Sequence, residues 1–165
     1  MKIMFSAGEA SGDLHGANLA RALRELDPQV ELLGMGGKEM ETVGVDIVYD
    51  IKNLGVIGVG EILRKIPFFF RLRDFLVETM RREKPDVLVC IDYPGFNMRL
   101  IKVAKAAGIP VVYYILPTIW AWHKSRGKTI AKYTDLAISL FPFEAKMYED
   151  LSLIHISEPT RHAQI

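Results

Sequence analysis

The sequence predicts an α/β fold: a doubly wound, Rossmann-like parallel sheet of about six strands. Two observations carry this. Short apolar runs alternate with segments of helical periodicity along most of the 165 residues, the pattern of successive βαβ units. The apolar runs are also nearly continuous, as in VLVCI at 87–91, which suits strands covered by helices on both faces.

The elements follow in order. KIMFSA at 2–7 reads as the first strand, and SGDLHGANLARALREL at 11–26 as the first helix. There Gly16, Leu19, Leu23 and Leu26 fall on one face, with Asn18, Arg21 and Glu25 on the other. Ser11 suits the N-cap, and Asp13 in the first turn suits the helix dipole. VELLGMG at 30–36 and VDIVYD at 45–50 are expected strands. DVLVCID at 86–92 is the next, followed by a helix near 97–107 that stops at Gly108. IPVVYYIL at 109–116 and DLAISL at 135–140 complete the set, with a helix near 124–132 between them. No internal repeat is evident.

Composition narrows the functional classes. A formal net charge of +1, with 50% hydrophobic and 25% charged residues, describes a globular chain without the broad basic surface that nucleic acid requires. Cys90 is the only cysteine, which excludes an intrachain disulfide and a multi-cysteine metal site; inside a strand it reads as a small apolar side chain, and it fits a reducing compartment. The N-terminus enters a strand at once, without a signal-peptide pattern. No apolar run approaches the ~20 residues of a spanning helix. The expected location is cytoplasmic, or against a membrane without crossing it. The tail LSLIHISEPTRHAQI at 151–165 breaks the βαβ pattern and resembles translated sequencing-adapter read-through. It is read as foreign, and His155 and His162 receive no role.

Four stretches could carry chemistry. The strand at 87–91 ends on Asp92 before Tyr93, Pro94 and Gly95. Ligands of open α/β sheets bind outside the carboxyl ends of strands, so Asp92 is a candidate catalytic carboxylate; an aspartate there can equally cap the turn that follows. GEASGDLHG at 8–16 joins the first strand to the first helix. Its glycines would allow close backbone approach to a ligand, while Glu9 and Asp13 would repel a phosphate and suit sugar hydroxyls or amides. A tight turn with an acidic cap explains the stretch equally well, and its spacing is not that of a dinucleotide fingerprint. LPTIWAWHKSRGK at 116–128 holds Trp120 and Trp122, aromatic faces for a sugar ring or acyl chain, ahead of His123, Lys124, Arg126 and Lys128. His123 has no spaced partner ligand, so no metal is expected. LGVIGVGEILRKIPFFFRLRDFL at 54–76 is too apolar for a single helical stripe and is interleaved with Arg64, Lys65, Arg71 and Arg73. Pro67 is expected to start a second helix or kink the first. The segment reads as an interfacial membrane element or lipid-binding wall, or else as a core helix or dimer face.

SAGEASGDLHGANL, GVIGVGEIL, IDYPGFN and LPTIWAW, in that order, together resemble the lipid-A-disaccharide synthase family, over residue 1 to about residue 148. The resemblance implies an inverting glycosyltransferase of the two-domain GT-B fold, of which this chain would be the N-terminal, acceptor-side domain. It implies joining of UDP-2,3-diacylglucosamine to 2,3-diacylglucosamine 1-phosphate (lipid X) with release of UDP, at the inner membrane of Gram-negative bacteria. A homodimer of the full-length protein is among the implied partners; no cofactor, metal or nucleic acid is. Carried over by position, it makes Asp92 the catalytic base. Gly8, Glu9, Ser11, Gly12, Asp13, Asn97, Trp120 and Trp122 become substrate contacts. Ile57, Ile62, Leu63, Ile66, Phe69, Phe70, Arg64 and Lys65 become the patch that meets the membrane and acyl chains. Gly95 stands where many members have an acid, and Leu116 and His123 replace a usual serine and arginine. Members are about twice as long, with most of the UDP-sugar site in a C-terminal domain, so this polypeptide is expected to be inactive alone. The competing expectations are a non-catalytic, membrane-surface lipid-binding module and, weaker, a nucleotide-dependent oxidoreductase.

Overall fold

The computed structural model describes residues 1–54, 62–116, 124–139 and 155–157. The elements are β1 (Lys2–Ala7), α1 (Ala10–Leu26), β2 (Glu31–Gly36), α2 (Lys38–Thr42), β3 (Asp46–Asp50), a 3-10 turn (Ile51–Leu54), α3 (Ile62–Glu83), β4 (Val87–Ile91), α4 (Pro94–Ala106), β5 (Val111–Tyr114), α5 (Lys124–Tyr133), β6 (Leu136–Ser139) and β7 (His155–Ser157). They form one parallel sheet in the order β3-β2-β1-β4-β5-β6-β7. This is the doubly wound Rossmann-like order, in which the chain first winds outward from β1 and then restarts at β4 on its other side.

The two faces of the sheet bury separate clusters, because successive side chains on a strand point opposite ways. On one face Met4, Leu33, Met35, Leu88, Cys90, Val111 and Tyr113 pack with Leu72, Leu76 and Met80 of α3, Leu100, Ile101 and Ala104 of α4, and Ile130 of α5. On the other, Ile3, Phe5, Ala7, Leu32, Val89 and Ile91 pack with Ala17 and Ala20 of α1 and Met40 of α2. Each large side chain buried this way contributes about 1.5–3 kcal/mol of transfer free energy. Cys90 lies among them, fully buried, and desolvation pushes its thiol far up from the ordinary range.

Four sequence expectations need correction. Helix α1 begins at Ala10 with Glu9 as its N-cap, so Ser11 sits inside the first turn rather than capping it. Its buried stripe is Gly12, Asp13, Gly16, Ala17 and Ala20, while Leu26 is 84% exposed. The small residues let the helix lie close to its neighbours: a Cβ at Gly16 would stand 2.6 Å from the Met40 sulfur. Leucines would hold it further off. Helix α4 begins at Pro94, where the sequence suggested a turn, because proline is well suited to a first helical turn. Helix α3 runs through Pro67 as a single element. Apart from these, residues 155–157 of the tail pair in parallel with β6, Ala137 opposite His155. An edge strand offers a free row of N–H and C=O groups to such an extended segment.

Gly34 marks the tightest backbone constraint in the sheet. It has φ +150°, precedes a register shift against β3, and a Cβ there would lie 2.2 Å from the Phe5 carbonyl oxygen. Gly34→Ala is expected to destabilise the fold by about 2–4 kcal/mol, read as a lower urea midpoint at unchanged m-value.

Candidate active site

Strands β1 and β4 are neighbours, with Ala7 opposite Ile91, and their following helices, α1 and α4, leave to opposite faces of the sheet. This is the topological switch point, where diverging connections open a crevice. Two stretches far apart in sequence therefore meet: the loop after β1 and the Asp92–Tyr93 turn after β4.

Asp92 and Tyr93 both adopt left-handed backbone conformations, φ +45° and +49°. Two such residues in succession outside glycine are strained and must be held by their surroundings. The Asp92 N–H donates to the Tyr114 carbonyl at 3.2 Å. The Asp92 carbonyl accepts from Asn97 Nδ2 at 2.8 Å and from the Tyr113 hydroxyl at 2.9 Å. Asn97 also donates to the carbonyls of Ser6 at 3.1 Å and Ile91 at 3.4 Å, and its Oδ1 accepts from Ser6 Oγ at 2.6 Å. The backbone of Asp92 is thus fixed from three sides while its side chain stays half-buried at the crevice. Burial raises its carboxyl above the ordinary aspartate range; the Tyr93 amide and the positive field of His15 pull the other way without cancelling it. The arrangement favours a carboxylate that can take up a proton.

His15 was not singled out in the sequence, although it lies within GEASGDLHG. Its ring meets that of Tyr114 edge-on at a centroid distance of 6.3 Å. One turn of α1 beyond Ser11, it is brought to Asp92 by the packing of α1 against β4.

The other expected substrate contacts divide. Asp13 is buried, and its carboxylate accepts from the amides of Gly37 at 2.7 Å, Glu39 at 2.9 Å and Met40 at 3.1 Å. It caps α2 rather than meeting a ligand. Asn97 is fully buried, with its amide engaged by the protein, so it positions Asp92 rather than touching substrate. Gly8 and Gly12 are buried too, and protein atoms occupy their space. A Cβ at Gly8 would lie 2.1 Å from the Tyr93 ring, and one at Gly12 3.4 Å from the Ala7 Cβ. Glu9 and Ser11 are exposed, and Glu9 lines a cleft with Tyr93. Trp120, Trp122 and Ile57 lie outside the described residues; Ile62, Leu63, Arg64 and Lys65 are placed only as the first turn of α3.

Beside Asp92 lies a cleft of about 470 Å³, lined by Glu9, Ile66, Phe69, Phe70, Arg73, Tyr93, Gly95, Phe96 and Arg99. Its aromatic wall runs from Tyr93 to Phe96 (6.1 Å between ring centroids) and on to Phe69 (6.4 Å). Ile66, Phe69 and Phe70 of the apolar segment therefore share a cleft with Tyr93, the residue after Asp92.

Asn97→Ala removes the donor to three carbonyls and the acceptor of Ser6. It is expected to cost about 2–4 kcal/mol. Asn97→Asp should cost at least as much at neutral pH, since a carboxylate cannot donate to carbonyls. Thermal unfolding of both variants checks this.

The chain is similar to known proteins in both sequence and fold. A family model described as lipid-A-disaccharide synthetase matches residues 3–156, a span that passes Leu151 and reaches β7. Lipid-A-disaccharide synthases of Koribacter versatilis (43% identity over 91% of this chain and 40% of theirs) and Coxiella burnetii strain Dugway 5J108-111 (43%, over 98% and 43%) are among the similar proteins. The chain spans about two-fifths of the length of these curated relatives. Among solved structures, UDP-GlcNAc 2-epimerase from Neisseria meningitidis superposes with a TM-score of 0.68 at 11% identity, over 95% of this chain and 45% of that one. A putative UDP-N-acetylglucosamine 2-epimerase from Listeria monocytogenes gives 0.67 at 11%, over 92% and 42%. At such identities the likeness speaks for the fold alone: these are GT-B glycosyltransferase and epimerase architectures. With the family model covering nearly the whole chain and the switch-point site in place, the chain belongs to the lipid-A-disaccharide synthetase family.

Proposed function

We propose that this chain supplies the acceptor side of an inverting glycosyl transfer that joins UDP-2,3-diacylglucosamine to lipid X, with Asp92 as the base. The carrying observation is a half-buried carboxylate, raised in pKa by burial and without an ion-pair partner among the described residues, beside an aromatic cleft at the switch point. In the step, an acceptor hydroxyl gives its proton to Asp92 as its oxygen bonds to the anomeric carbon. The bond from that carbon to the UDP oxygen breaks on the opposite face, which inverts the centre and releases UDP. The positive field of His15 favours the charged carboxylate, and the Asn97 amide fixes its backbone.

The donor half of the site is assigned to the part of the relatives' length that this chain does not span, so the 165-residue chain is expected to show no turnover alone. Among the described residues no helix is long and apolar enough to cross a membrane. Ile66, Phe70 and Phe75 are nevertheless 43%, 45% and 43% exposed on α3. They support a face that rests on the inner-membrane surface.

The test joins this chain to a relative's C-terminal domain and assays both sugar substrates. Asp92→Asn is expected to lower kcat by about 10²–10⁴-fold. Full turnover in that variant overturns the base assignment, and acyl-lipid binding without any turnover favours the non-catalytic module. Because the reactive form is the carboxylate, kcat should fall as pH drops through the raised pKa of Asp92.

Stability runs the other way. A carboxyl whose pKa is higher folded than unfolded favours the fold while protonated, and the advantage is lost as pH rises through the folded value. Asp92→Asn, neutral throughout and tolerant of the left-handed conformation, should therefore be no less stable than the parent at pH 7. Paired thermal melts across the acid range would show any advantage shrinking as pH falls through the raised value of Asp92 and gone below the ordinary carboxylate range.

A further inference from the structure

The cleft beside Asp92 is apolar on its walls yet cationic at two points. Arg73 comes from α3 and Arg99 from α4, the two helices that enclose it. The Arg73 guanidinium lies 4.9 Å from the Phe70 ring centroid. Its Nε and one terminal nitrogen donate to Asp74 Oδ1 at 2.9 and 2.6 Å. Asp74 is the next residue and largely exposed, so the pair is weak and open to exchange. Arg99 donates one N–H to the Gly95 carbonyl. The remaining donors of both forks have no acceptor among the described residues. Gly95 sits on the rim, where an added Cβ would meet nothing within 4 Å, so the space before Arg99 is open. Among the described residues Glu9 is the only acid lining the cleft, and it lies by Tyr93, whose hydroxyl pKa is raised by burial and further by Glu9.

We infer that Arg73 and Arg99 form a subsite for the phosphate monoester of an acylated amphiphile, which lays its chain along Ile66, Phe69, Phe70 and Phe96 and enters the cleft as a single molecule. The inference rests on the proposed transfer for its choice of amphiphile, and assigns two residues that reading leaves without a role. Planar guanidinium forks match phosphate oxygens in pairs, and the aromatic wall gives the chain a dry seat. Stacking on Phe70 holds the Arg73 plane before a ligand arrives.

The probes are decyl phosphate and decyl maltoside below their micellar concentrations, inorganic phosphate, and vesicles containing phosphatidylglycerol, titrated calorimetrically into the 165-residue chain. Decyl phosphate is expected to bind at least about fivefold tighter than decyl maltoside, and inorganic phosphate alone only weakly. Arg73→Ala and Arg99→Ala should each weaken decyl phosphate about tenfold and leave decyl maltoside unchanged. Gly95→Asp, which the open space accommodates and which suits a first helical turn, should weaken decyl phosphate by at least about threefold through charge alone. Ile66→Ser, at an exposed position, should weaken both detergents. Equal affinity for the two detergents, or arginine variants that lose vesicle binding but keep decyl phosphate, overturns the subsite. The readout is binding without turnover: loss of the subsite with Asp92-dependent turnover intact sinks this inference alone, and the reverse sinks only the proposed reaction.

Discussion

A single buried amide holds the site together. Asn97, on α4, reaches back across the carboxyl ends of two neighbouring strands and bonds to Ser6 of β1, Ile91 of β4 and the Asp92 carbonyl just beyond it. Inside a low-dielectric core such bonds are strong when complete and costly when broken. They offset the strain of two consecutive left-handed residues, Asp92 and Tyr93. Without the amide, the turn that presents the carboxylate would be held at the Asp92 backbone only by its bonds to Tyr113 and Tyr114.

The loop after β1 works by the same logic of internal bonding. Asp13 spends its carboxylate on three amides at the start of α2, where a negative group also favours the helix dipole. A short helix of five residues gains an end cap from a different unit of the fold. The glycines of the loop matter for what they leave out: Gly8 makes way for the Tyr93 ring and Gly16 for Met40. A stretch that reads as ligand-binding is in large part the joint between α1, α2 and β4, and it leaves Glu9 lining the cleft and His15 acting on the Asp92 carboxylate.

Helix α3 divides its large apolar content between two tasks. Leu72, Leu76 and Met80, at helical spacing, close the core over β1 and β4. Ile66, Phe69 and Phe70 line the cleft, where Phe69, Phe96 and Tyr93 make an aromatic path from the helix to the Asp92–Tyr93 turn. A core helix needs only the first group, which is why the segment looked too apolar for one stripe.

Much of this was legible in the sequence. The six alternating strands, the end of β4 at Ile91 and the placing of Asp92 follow from local pattern, because period and apolar continuity are properties of neighbouring residues. The family likewise shows in four short motifs. What the sequence could not decide is which polar side chains face one another across the fold. Asp13 and Asn97 have the chemistry of substrate contacts, yet their partners lie on α2, β1 and β4. His15 looks like an ordinary helix position until α1 packs beside Asp92, and Arg73 and Arg99 become a pair only when α3 and α4 close on one cleft. By itself the sequence determined the alternation of elements and the carboxylate at the strand end. The tertiary structure alone decided which donors and acceptors were already satisfied within the protein, since hydrogen bonds between distant segments exist only once the sheet has brought them together.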